Sequence, residues 1–143
     1  MEIGVDHGRI VLKLQRDEDF LPSLVKALEE SRVSSGLVLG GIGALKEFEL
    51  GWFDPESRTY VRSGYEPSHE LLSLQGTVTP GSEPPIHVHC SLSNEKCGVV
   101  GGHLFRGKVS VLAEVAIQGL EGIRLDREVN PRTGLRELTI RGP

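Results

Sequence analysis

The chain is poor in sulfur and in aromatic rings. Its two cysteines, Cys90 and Cys97, form no CxxC pair. That rules against a disulfide framework and points to a reduced, intracellular protein, read here as cytoplasmic. A Cys90–Cys97 bridge is not expected in that compartment, and neither thiol is read as catalytic. One tryptophan, two tyrosines and four phenylalanines give poor support for a stacking platform on single-stranded nucleic acid. Trp52, Phe53, Tyr60 and Tyr65 are read instead as core and edge packing. No window approaches the roughly 18 apolar residues of a membrane span. The N-terminus has no apolar h-region, so a secretory leader is not expected. Neither sign of charge dominates: 16 basic residues stand against 20 acidic ones, with a net charge of −4 and a pI near 5.7. A protein that holds DNA over its whole surface is normally basic, so the balance counts against unaided DNA binding.

Glycine is plentiful, with 18 spread through 143 residues. Scattered in this way, it reads as turns and bulges of a β-rich single domain over residues 1–143, not as a linker. RIVLKLQ (9–15) alternates Ile10, Leu12 and Leu14 on one face, which is strand periodicity. Phe20, Leu24 and Leu28 then repeat every fourth residue, with Leu21 and Val25 beside them. The spacing predicts a helix over 20–32, with Asp19 as N-cap and Pro22 in the first turn. SGLVLGGIGALKEFELGWF (35–53) is read as strand, tight turn and strand, followed by a hairpin at Asp54-Pro55. Residues 69–81, HVHCSL, VVGGHLF and 107–118 are read as separate strands. IRLDREV and LRELTIR form a closing hairpin around NPRTG. The pattern predicts an α+β domain, mostly antiparallel sheet, with one main helix near the N-terminus.

The stretch PIHVHC (85–90) puts His87 and His89 on one face of a strand, about 7 Å apart along it. His103 follows in VVGGHLF, where antiparallel pairing would bring it beside the pair. Gly101 and Gly102, without side chains, would leave room there for an ion, a ligand or a bulge. Three neutral imidazoles suit zinc or another divalent transition metal, and leave a tetrahedral ion one open position. A water there would have its pKa lowered towards about 7. Glu70, His69 and Glu83 are candidates to support the site by sequence proximity. The same three histidines also read as half-buried strand residues with hydrogen-bond partners, and both readings stand. GLVLGGIGALK lacks the spacing of GxxxxGK[ST] and of GxGxxG, so it is read as a tight turn with positive φ. Arg124, Arg127, Arg132, Arg136 and Arg141 are interleaved with Asp126, Glu128 and Glu137, which reads as a solvated, cross-paired hairpin.

Taken in order, GLVLGGIGAL, HELLSLQGTV and PPIHVHCSLSNEKCGVVGGHL resemble the plants-and-prokaryotes-conserved (PPC) domain, over nearly the whole chain. In plants this domain follows an AT-hook. The resemblance implies an α+β fold, a homotrimer, and a metal held by residues matching His87, His89 and His103. It also carries a DNA-binding label. The Arg-Gly-Arg-Pro core of the hook is missing, and Arg141-Gly142-Pro143 is only a partial echo. The expected function is therefore binding, or transformation, of a small molecule at an open three-histidine site. The alternatives are a DNA-binding regulatory protein and a trimeric interaction module without catalysis.

Overall fold

The computed structural model describes residues 1–142. Strand makes up 63% of the chain and helix 8%, so pairing of extended backbone dominates the architecture. The strands are β1 (Glu2–Asp6), β2 (Arg9–Gln15), β3 (Gly36–Asp54), β4 (Thr59–Tyr65), β5 (His69–Val78), β6 (Ile86–Ser93), β7 (Val99–Gly119), β8 (Arg124–Val129) and β9 (Arg136–Arg141). The helix α1 spans Phe20–Glu30. Seven strands pair antiparallel in the order β1-β2-β7-β6-β5-β3-β4, and β3 also pairs with β7. That extra pairing closes β3, β5, β6 and β7 into a ring. β8 and β9 form a separate two-stranded sheet.

The closed ring explains two departures from the sequence reading. GGIG makes no turn: β3 runs unbroken through it, with register shifts between Val38 and Gly40 and between Gly43 and Leu45. The glycines serve close approach instead. Gly43 has φ 137, and a Cβ there would lie 2.3 Å from the Leu112 carbonyl oxygen. Likewise VVGGHLF and GKVSVLAEVAIQ form one strand, β7, of 21 residues. Strands this long curve around a ring because bulges bend them. β1, which the sequence reading missed, pairs with β2 through Glu2–Asp6.

The helix lies where its apolar stripe predicted and is shorter by a turn fragment. Asp19 occupies the N-cap position, but its side chain makes no capping hydrogen bond. At the other end Arg32 takes φ 54, while the Val33 N–H donates to the Leu28 carbonyl at 3.0 Å and the Arg32 N–H to the Glu29 carbonyl at 3.1 Å. This is a Schellman stop with arginine in the glycine position. Phe20, Leu24, Ala27 and Leu28 are buried, with the helix packed on β2 and β7.

Period-two burial along β6 decides where the site lies. Ile86, Val88, Cys90 and Leu92 are buried in the core, while His87, His89, Ser91 and Ser93 face the other way. Burial pushes the Cys90 thiol up to about 12, which makes it a core residue. Cys97 is exposed in the β6–β7 turn, and both cysteines are free.

Candidate metal centre

The sheet register assembles the three histidines. His89 pairs directly with His103 across β6 and β7, and His87 follows two residues along β6. The row continues outward on both sides, from Gln75 opposite His89 to Gly51 opposite His103 and Arg62 opposite Gly51. One ligand atom from each of His87, His89 and His103 falls within 4.8 Å of the other two. The Nε2 atoms of His87 and His89 are 3.2 Å apart. Two imidazole nitrogens on a tetrahedral zinc stand about 3.3–3.4 Å apart, given bonds of about 2.0–2.1 Å. The pair is already at that spacing.

Several features fit the trio to a cation. Burial, followed by the neighbouring Arg127 cation, lowers the His87 pKa to about 4. Burial, followed by the other two histidines, does the same to His103. Both imidazoles are therefore neutral at pH 7, which is the ligating form. His103 Nδ1 is buried and has no hydrogen-bond partner among the described residues. A buried polar atom left unpaired is costly unless something met in the site satisfies it. One contact runs against the fit. Arg127 Nη1 donates to His87 Nδ1 at 3.4 Å, whereas ligation through Nε2 puts a proton on Nδ1. That hydrogen bond is long and would lapse, while Arg127 Nη2 keeps its 2.6 Å bond to Thr77 Oγ1.

The trio opens on a cleft of about 750 Å³. Tyr60 and Phe105 form one wall, with ring centroids 5.1 and 4.4 Å from that of His103. Gly51 makes this wall possible, since a Cβ there would lie 2.4 Å from Phe105 Cε2 and 2.9 Å from Tyr60 Cδ1. The Arg62 guanidinium lies over the Phe105 ring, 3.7 Å from its centroid. The opposite wall is the β8–β9 hairpin, which contributes Arg127, Leu135 and Leu138.

The supporting residues named from sequence are placed as follows. Glu70 pairs with Ser93 and is exposed, roughly 17 Å along β5 from Gln75, so it does not line the cleft. His69 is buried elsewhere, with Nδ1 bonded to the Pro67 carbonyl at 3.0 Å and its ring against Phe48 and Tyr65. Glu83 is exposed beside Pro84 in a neighbouring groove. Gly101 and Gly102 precede His103, but their space goes to backbone and not to a ligand. Cβ atoms there would lie 2.9 Å from the Cys90 carbonyl oxygen and 2.7 Å from that of Gly51. Tyr60, Phe105, Arg62 and Arg127 are the cleft residues that the sequence reading passed over. Tyr60 lines the site, while Trp52, 65% exposed, is not core packing. Of the hairpin arginines, Arg124, Arg132, Arg136 and Arg141 are solvated as their alternation predicted, and Arg124 and Arg141 are paired with carboxylates. Arg127 departs from that pattern, at 7% exposure.

A plant- and prokaryote-conserved (PPC) protein from Pyrococcus horikoshii is similar at 30% identity, over 95% of this chain and 93% of that one, with a TM-score of 0.81. A metal-containing protein from Archaeoglobus fulgidus is similar at 28% identity, over 96% and 95%, with a TM-score of 0.83. A candidate DNA-binding protein from Bacteroides thetaiotaomicron shares the fold at 20% identity, over 96% of each chain, with a TM-score of 0.87. No curated protein matches the chain. The sequence matches the family described as the Plants and Prokaryotes Conserved (PCC) domain over residues 1–121, and the chain belongs to that family.

Proposed function

We propose that this chain is a metal-binding member of its family, holding a divalent transition metal through His87, His89 and His103 and receiving a small molecule in the adjoining cleft. The observation that carries this reading is the convergence of three ligand atoms within 4.8 Å on adjacent strands. An all-imidazole donor set suits zinc, and also nickel, copper and iron. When bound, such an ion supplies Lewis acidity at an open coordination position. The chain's own residues do the rest. Tyr60 and Phe105 exclude water from one side of the trio, and the β8–β9 hairpin covers the other.

Zinc titrated into metal-free protein against a chromophoric chelator tests this directly. The reading predicts one site per chain, with affinity lost in His87→Ala and His103→Ala. Equal zinc affinity in the wild type and both variants would overturn it.

The reading includes a homotrimer. Its support is the family resemblance and an exposed apolar strip. Val11 and Gly40 both pair with Ala116 of β7, and Val11, Leu39 and Ile42 beside them are 60%, 54% and 57% exposed. Patches of this kind mark association surfaces. DNA binding is the less supported reading. The Bacteroides and Ralstonia neighbours that carry the label are 20% and 21% identical, which speaks for fold alone. Around the cleft, Arg62 and Arg106 face Glu49, while Arg124 and Arg141 face Asp126. Retardation of A·T-rich duplex at low salt, abolished by raising the salt, would revive it.

A further inference from the structure

The cleft holds a buried cation with no anion to match it. Arg127 is 7% exposed, and its guanidinium meets only neutral acceptors. Nη2 donates to Thr77 Oγ1 at 2.6 Å, and Nη1 donates at the long distances of 3.4 Å to His87 Nδ1 and 3.5 Å to the Arg136 carbonyl. Its Nε is buried and has no partner. Among the described residues no carboxylate lies within 4.0 Å of it.

Of the carboxylates nearby, Glu83 is exposed and lies beyond 4.0 Å of Arg127, and the others are engaged. Glu49 takes Arg62 at 3.0 Å and Arg106 at 3.4 Å. Asp126 takes Arg124 at 3.1 Å and Arg141 at 3.4 Å, and Glu128 takes Arg141 at 2.7 Å. Glu137, on the cleft wall, accepts from Asn130 and Thr133, both at 2.8 Å. A guanidinium kept from water without a counter-charge is an unfavourable arrangement in isolation. It is the arrangement wanted for a ligand that brings the missing charge, because a buried arginine fork is suited to oxyanions.

We propose that the cleft's ligand is a small organic molecule bearing an oxyanion, a carboxylate or a phosphate, and that Arg127 meets that charge. The inference rests on the metal reading for the ligand's second anchor and on Arg127 alone for its first. The two anchors are coupled. A metal on His87 Nε2 requires a proton on Nδ1, which turns the Arg127–His87 contact into donor against donor. Nη1 then keeps only its 3.5 Å contact with the Arg136 carbonyl and is free to turn to the anion. Three neutral ligands, a divalent ion and Arg127 together also leave the cleft strongly positive. The hairpin thus serves the site as more than a cover: it delivers the only buried arginine among the described residues.

The test is calorimetric titration of succinate and, separately, inorganic phosphate into the full chain at low chloride. It is run on metal-free and zinc-loaded protein, with Arg127→Gln and Arg127→Lys alongside and zinc measured in every sample. At least one probe should bind the wild type, more tightly with zinc than without. Arg127→Gln should weaken binding about tenfold or more, and Arg127→Lys should restore part of it. Which probe binds distinguishes carboxylate from phosphate. Binding of neither probe to the wild type, or equal binding to wild type and Arg127→Gln, would overturn the proposal. If the wild type takes up no zinc, the metal reading fails and the metal-free titration still decides the role of Arg127. If Arg127→Gln does not fold, the Nε–Hε signal of Arg127 in the wild-type ¹⁵N spectrum decides: a saturable shift with the probe supports the proposal, and an unmoved signal sinks it.

Discussion

At the scale of single residues, what sets this site apart is the company its side chains keep. His87 and His103 are neutral because burial and nearby cations oppose a second proton, and both are lowered to about 4. In the unfolded chain they titrate near 6.5. Between those values the unfolded state binds more protons than the folded one, so stability rises with pH. The contribution of these two histidines to the stability of the metal-free protein should therefore be full above about pH 6.5 and lost as the pH falls towards 4. Chemical denaturation across that range checks this, and His87→Asn should flatten the slope. A second contrast separates the thiols. Cys97 is exposed, and Cys90 is buried with its pKa raised to about 12. A thiol reagent should label one cysteine per native chain and both after unfolding. That difference was legible in the sequence, because Cys90 alternates with His89 along a strand. The importance of Arg127 was not. Its place in an alternating charged hairpin looks the same as that of Arg124, and only the docking of the hairpin over the histidines tells them apart.

At the scale of elements, glycine decides the geometry. A Cβ on Gly76 would lie 2.0 Å from the His87 carbonyl oxygen and 2.8 Å from Val88 Cα, both backbone atoms. β5 and β6 could not keep their register around it. Gly76→Ala should cost about 3 kcal/mol, the upper end of overpacking, and a denaturant midpoint measures it. Gly51→Ala meets only the side-chain rings of Phe105 and Tyr60, so its effect should fall on the cleft more than on stability. The histidine strand was legible because period two sorts β6 without any tertiary knowledge. The pairing of His89 with His103 followed from a short antiparallel connection. Glu70 misled because nearness in sequence becomes distance along an extended strand. GGIG misled because the same residues serve a turn and a close strand crossing, and only the ring closure distinguishes the two.

At the scale of the whole molecule, the closed ring presents the trio on its outside, between an aromatic wall from β4 and β7 and a lid-like hairpin from the last strands. The matched family region ends at residue 121, and Arg127 lies beyond it, in the hairpin. The exposed strip of Val11, Leu39 and Ile42 lies on the β2–β7–β3 surface. Light scattering should give the mass of three chains, and Ile42→Glu should reduce it to one, because a charge in an apolar interface has no partner. A wild-type monomer at micromolar concentration would remove the trimer from the account.

The most direct test of the central claim is elemental analysis of tag-free protein purified without added metal, with a His87→Ala, His103→Ala double variant beside it. The account predicts about one transition-metal ion per chain in the wild type and none in the variant. No metal in either, even after incubation with zinc, would contradict it and return the three histidines to ordinary strand residues.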